Sequence, residues 1–241
     1  MKNIVITGGG SGVVFAIARD LAVDNKVILV GRNENKLQSA KNSLGDNASY
    51  VAGDLSTVSG REKVVDYILK NTNHIDVLIH SAGVYPTNSQ DNISNNLLVH
   101  YYLTLNLLKA LKDSRVLIVA GNPQAIMMAP ICERQFNAVT RAVWTVTHKT
   151  LLVQLLINKL RDNQTTINSF FPGDATSDLM PYTKSLVNTL VPVGKLLAFD
   201  KRFEHISGQF FDDRGNAVAL NSEKYNQANA MKVLSQYIPE M

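Results

Sequence analysis

Ile4-Val5-Ile6-Thr7-Gly8-Gly9-Gly10-Ser11-Gly12-Val13-Val14-Phe15-Ala16-Ile17-Ala18 is the stretch on which the reading of this chain turns. A β-branched run leads into clustered glycines, and an apolar helical stripe follows at once. The order predicts strand, tight turn and helix. A nucleotide pyrophosphate needs the same three things: a sharp turn, a bare backbone and a helix start with unpaired N–H groups. Glycine clusters also serve ordinary turns, so the weight comes from its place between strand and helix at the head of a βα series.

Working outward, apolar strands alternate with helical patterns, which predicts a doubly wound parallel sheet of Rossmann type in three α/β/α layers. Strands are expected at Asn3–Thr7, Lys26–Val30, Ser49–Ala52, Asp76–His80, Arg115–Ala120, Thr165–Phe170 and Ser207–Phe211. Helices are expected at Gly12–Val23, Asn33–Ser43, Thr57–Lys70, Asn92–Lys112, Glu133–Leu160 and Glu223–Gln236. In the fifth of these, Phe136, Val139, Val143, Val146 and Thr147 are spaced to share one face. Between Asp174 and His205 the pattern breaks into Pro- and Gly-interrupted apolar pieces, read as a substrate-side lid. The 241 residues suit one domain, 1–241. In such sheets ligands bind outside the carboxyl ends of the strands, so the polar turns after each strand should line one cleft.

Composition narrows the function. The net charge of +4 is scattered, and no basic run carries interleaved aromatics, so nucleic-acid binding has no support. One cysteine, Cys132, excludes an internal disulfide and suits a reducing, cytoplasmic setting. Five scattered His give no metal-ligand spacing. Met1-Lys2-Asn3 runs straight into the first strand, leaving no expected signal peptide, and no apolar run reaches the ~20 residues of a membrane span.

Taken together the turns resemble the classical short-chain dehydrogenase/reductase family along nearly the whole chain. The family's T-G-x-x-x-G-x-G matches at Thr7, Gly8 and Gly12, with Val14 where the last glycine would stand. Its acidic residue after strand three, an adenine contact, matches Asp54 beside Leu55. Its N-N-A-G turn reads His80-Ser81-Ala82-Gly83, and its P-G-x-x-x-T matches Pro172, Gly173 and, one place early, Thr176. Asn96 to Thr104 and Ser207 to Phe211 resemble stretches of the retinol-dehydrogenase-like members. The resemblance implies a nicotinamide dinucleotide held by Thr7, Gly8, Ser11, Gly12, Val13, Arg32, Asp54, Leu55, Ser81, Ala82, Gly83, Pro172, Gly173 and Thr176. It also implies a small carbonyl or alcohol as substrate, and a homodimer or homotetramer paired through the two long helices.

The family mechanism uses a Tyr hydroxyl as proton donor, a Lys that lowers its pKa and holds the nicotinamide ribose, a Ser that orients the substrate oxygen, and a supporting Asn. On the expected register, Phe136 and Thr140 stand for the Tyr and Lys, and Gly121 for the Ser; Asn96 alone of the four remains. No Tyr has Lys four residues later. Cys132, Glu133, Arg134, His100, Tyr182 and Lys184 are the candidates for a relocated donor, though each also reads as a rim, packing or lid residue. Strand two ends in Gly31-Arg32 with no acid for a ribose 2′-hydroxyl, so Arg32 favours NADP over NAD. Val14 should press the first helix away from the sheet unless a small neighbour makes room. Three functions follow: a nucleotide-binding sensor or scaffold of poor or no activity, an active oxidoreductase with a relocated donor, or a cofactor-free interaction protein.

Overall fold

Short runs enclosed on both faces form the middle of the sheet: every residue of Val77–His80 and Thr166–Phe170 is buried, the polar Thr166, Asn168 and Ser169 included. Strands covered on both faces read this way. The computed structural model describes residues 1–239. Strands β1 (Asn3–Thr7), β2 (Lys26–Gly31), β3 (Ala48–Ala52), β4 (Val77–His80), β5 (Arg115–Val119), β6 (Thr166–Phe170), β7 (Phe210–Phe211) and β8 (Ala217–Val218) make one sheet. Their order is β3-β2-β1-β4-β5-β6-β7-β8, parallel except for the β7–β8 pair. The winding direction reverses between β1 and β4, which pair from Ile4↔Val77 to Thr7↔His80. A crevice belongs at that point.

Helices α1 (Gly12–Ala22), α2 (Glu34–Leu44) and α8 (Pro192–Phe199) cover one face, packing Ile17, Leu37 and Leu197 against Ile4, Ile6 and Leu29. The other face carries α3 (Val58–Asn71), α5 (Val99–Asn106), α7 (Ala138–Arg161) and α9 (Gln227–Leu234), which bury Ile68, Leu103, Leu152 and Leu234. Short helices α4 (Ser89–Ile93) and α6 (Pro123–Met128) lead into α5 and follow β5. Asn33 and Thr57 accept from backbone amides as N-caps of α2 and α3, as their residue types suggest.

Four sequence expectations are corrected. The helix expected over Asn92–Lys112 starts earlier and is interrupted by a π-helical turn, Ser94–Leu98, ending at Asn106 before a 3₁₀ turn. The helix expected from Glu133 starts at Ala138, because Asn137 and Thr140 form a reciprocal capping box that fixes its first turn. Phe136 therefore lies outside the helix at 75% exposure and Val139 is also exposed, so the expected apolar face is buried only at its far end, where Val146 packs on the core and Thr147 is enclosed. The broken stretch after Asp174 contains α8, with Pro192 at its first turn, where proline's missing N–H costs nothing. Finally, the last strand shortens to Phe210–Phe211 and turns back as a hairpin with β8, and α9 is shorter than expected.

From Thr147 to Val153 every residue of α7 is buried, so this middle stretch of the helix is enclosed on all sides. It packs on β6, on the Ser94–Leu98 turn and on α9. No helix among the described residues is long and apolar enough to cross a membrane.

Candidate functional site

The crevice is walled by the turns after β1 to β4. Gly8, Gly31, Arg32, Gly53, Asp54, Leu55, Ser56, Ala82, Gly83 and Val84 line it, and Asn95 and Val99 close it from the π turn and α5. Its glycines are sterically required. A Cβ on Gly8, at φ +120°, would meet Ser81 O at 2.7 Å and Val14 Cγ2 at 2.8 Å. A Cβ on Gly31 would meet Gly9 Cα at 2.5 Å, which is why no acid stands at the end of β2. Both Gly8 and Gly9 donate their N–H to Val30 O, at 2.9 and 2.8 Å, folding the turn back over β2.

Val14 does not press α1 outward. It is 3% exposed, and its Cγ2 takes the room that Gly8 leaves. Ser11 is the N-cap of α1 but its side chain makes no cap hydrogen bond, so the helix start carries N–H groups without a side-chain acceptor. Val13 is partly buried behind it. Thr7 is fully buried, and its hydroxyl accepts from Ser81 N at 3.2 Å and Ala82 N at 3.1 Å. It holds the β4 turn against β1 rather than facing the crevice.

Asp54 accepts from Ser56 N at 2.9 Å and Ser56 Oγ at 2.7 Å. Burial pushes its carboxyl up, but those two bonds and the Arg32 guanidinium together hold it below the usual range. Leu55 is buried beside it. At the other end, Gly173 has φ +81° and the segment after it lies across the first turn: a Cβ on Gly12 would meet Ser177 Cβ at 2.9 Å and Thr176 O at 3.3 Å. Thr176 N donates to Asn188 O at 2.7 Å. Asp178 pairs with Lys36 Nζ at 2.8 Å, clasping this segment to α2. Pro172 begins it as β6 ends.

The expected catalytic positions do not come together. Phe136 is exposed with Arg134 over its ring, Thr140 is spent on the capping box, and Gly121 is filled by Val146 Cγ2. Asn96 is 3% exposed and fully committed: its Oδ1 accepts from Val84 N at 2.9 Å, and its Nδ2 donates to Val84 O at 3.0 Å and Asn92 Oδ1 at 2.8 Å. It shapes the π turn and the β4 loop. Of the candidate substitutes, Tyr182 and Lys184 are exposed in the segment between β6 and α8. Cys132 Sγ lies 3.6 Å from Arg134 O. Glu133 accepts from the Tyr237 hydroxyl and has its carboxyl below the usual range, burial being outweighed by contacts with His148 and Tyr237.

Two residues escaped the sequence reading. Asn92, fully buried, donates to Gln135 Oε1 at 2.7 Å and Arg141 O at 3.0 Å and accepts from Thr145 Oγ1 at 2.6 Å, tying α4 to α7. Lys149, 8% exposed, donates to Val119 O at 3.2 Å, where β5 opens on the cleft. Burial pushes its amine down to about 8. The signal that could have found it is Thr145-x-x-x-Lys149, the family's Tyr–Lys spacing with threonine for tyrosine. Beside it are His80 and His100, fully buried, with rings 5.1 Å apart. Thr104 Oγ1 donates to His100 O and so can only accept from His80 Nε2, at 2.8 Å, leaving His80 Nδ1 a bare lone pair. Burial, then the Lys149 charge, pushes His80 down to about 3, and His100 well below its usual value. His100 is therefore a neutral core residue, not a group on the cleft rim.

The fold and crevice define a doubly wound α/β protein with a glycine-walled crevice at its switch point. The short chain dehydrogenase family model matches residues 2–119. Over that stretch, just under half of its length, the chain is similar to the short-chain dehydrogenase/reductase family. An uncharacterized oxidoreductase of Staphylococcus epidermidis is 34% identical over 83 residues, 34% of this chain and 36% of that protein. A 3-oxoacyl-acyl-carrier-protein reductase of Rickettsia prowazekii is 38% identical over 84 residues, 34% of this chain and 33% of its own length. The matched stretch thus spans about a third of these relatives. Beyond it the fold carries the likeness: a short chain dehydrogenase of Salmonella enterica serovar Typhi superposes with TM-score 0.72 at 21% identity, covering 88% of this chain and 96% of that one.

Proposed function

We propose that the chain binds a nicotinamide dinucleotide along the turns after β1 to β4, NADP(H) ahead of NAD(H), and turns over carbonyl or alcohol substrates poorly. The observation that carries this is the crevice itself. Its glycines leave backbone bare where a Cβ would collide, the start of α1 offers unpaired N–H groups, and Arg32 and Asp54 face the same space. In this reading Gly8, Ser11, Gly12 and Val13 take the pyrophosphate, Arg32 the ribose 2′-phosphate, Asp54, Leu55, Ala82 and Gly83 the adenosine, and Pro172, Gly173 and Thr176 the nicotinamide side. The bound group would supply the hydride equivalent; the chain's part is to bind and orient it. Ser81 and Thr7 set the turn that separates the two halves.

The sensor or scaffold role rests on what Phe136, Thr140 and Gly121 lack. An active oxidoreductase with a relocated donor is favoured by one observation, the buried amine of Lys149. The cofactor-free alternative loses its motive, because Gly8 accommodates Val14. The whole chain serves this one site as a unit, with 174–205 as its cover, in a reducing, cytoplasmic setting. Fluorescence titration with NADPH and NADH tests the reading. NADPH should bind more tightly, and Arg32→Ala should bring the two affinities together; absence of binding by either nucleotide refutes it.

A further inference from the structure

Lys149 reaches the place where two central strands end. Its Nζ donates to the carbonyl of Val119, the last residue of β5, and His80, the last residue of β4, feels its charge. Two residues beyond Val119 is Gly121, packed on Val146 of the same α7 turn as Lys149. The amine thus lies at the carboxyl ends of β4 and β5, between the β4 turn and the Gly121 loop. An ammonium has three N–H groups, and one is spent on Val119. No carboxylate forms an ion pair with Lys149 among the described residues.

We propose that Lys149 is the proton donor of this oxidoreductase, giving its proton to the oxygen of a carbonyl substrate. The inference rests on the dinucleotide reading above. An uncompensated ammonium in a dry site gives up its proton readily and attracts an oxygen that is becoming negative. The titratable groups facing it are His80 from β4 and His100 from α5, both neutral at pH 7, so neither offsets its charge. Thr145, one turn earlier on α7, has its hydroxyl committed to Asn92 and Arg141 O. An acid with pKa near the working pH suits the task, and Lys149 lies at about 8.

In the step, the carbonyl carbon gains a C–H bond from the reduced nicotinamide and the C=O π pair moves onto oxygen. That oxygen takes a proton from Lys149 Nζ. The carbonyl is reduced to the alcohol, NADPH is oxidised to NADP⁺, and the neutral amine is reprotonated from solvent.

The test is NADPH-dependent reduction of 4-nitrobenzaldehyde between pH 6 and 10, with Lys149→Met and Lys149→Arg alongside. The rate should fall tenfold per pH unit above about 8. Both variants should lose about a hundredfold or more in kcat, with NADPH Kd changed less than threefold. Arginine keeps the charge but cannot release a proton, so its failure separates proton transfer from electrostatics. A second readout needs no turnover and no variant: the ratio of NADP⁺ to NADPH Kd should fall as pH rises through 8, when a like charge near the oxidised ring disappears. Turnover within threefold of the unmodified chain in either variant, a flat alkaline limb, a flat affinity ratio, or bound NADPH with no turnover each overturns the proposal. Absence of NADPH binding instead overturns the dinucleotide reading.

Discussion

Replacing Lys149 with methionine should make the protein more stable, by an amount that shrinks as pH rises. The amine titrates at 10.5 in an unfolded chain and at about 8 in the fold, where burial disfavours its charged form. The unfolded state then binds more protons than the folded state between these values, so stability rises with pH across that window. Below pH 8 the difference of about 2.5 units corresponds to roughly 3 kcal/mol of lost stability, at about 1.36 kcal/mol per unit. At pH 10 the same group costs under about 1 kcal/mol. Methionine keeps most of the side-chain volume and removes the charge. Urea denaturation followed by the fluorescence of Trp144, the one tryptophan, reads the effect. Losing the bond to Val119 O and any packing change shift both pH values alike, so they cancel in the difference. Its expected size is about 2–3 kcal/mol between pH 7 and pH 10. A stability difference that stays constant to within about 0.5 kcal/mol across that range would refute a buried, depressed amine.

Other substitutions probe the crevice. Gly121→Ser should cost about 1–3 kcal/mol by driving its Cβ into Val146, and Val146→Ala should relieve most of it, seen as paired shifts in Tm. Gly31→Asp, the residue an NAD-type site would carry, should lower Tm and weaken nucleotide binding together, because its Cβ meets Gly9. Val14→Ala should cost about 1.5–3 kcal/mol of stability and leave NADPH affinity no tighter, since the valine fills the space above Gly8.

Strand order and the crevice were legible because they rest on short-range signals: β-branched runs, glycine turns and the caps at Asn33 and Thr57. The start of α7 was not. Phe136 to Thr147 has helical spacing, but spacing cannot reveal that Asn137 and Thr140 bond reciprocally and delay the helix. The displaced start leaves Phe136 outside the helix and Thr140 in its cap, and the burial of Lys149 further along α7 is not legible from spacing either. Nor could pattern alone show the π turn at Asn96, whose cause is a pair of bonds to Val84, twelve residues back in the chain. The helix α8 was masked by Pro192, read as a breaker where it is a starter.

The seat of α9 gives the molecule a built-in reporter. Trp144 stacks on His148 with ring centroids 4.0 Å apart and donates to the Tyr237 hydroxyl at 3.3 Å, while Tyr237 also holds Glu133. If the C-terminal helix lifts, the same motion strips Tyr237 from the indole and bares the leucine-rich flank of α7. Emission colour and stickiness are therefore coupled in this fold: a red shift of the lone tryptophan would announce self-association before any aggregate is visible.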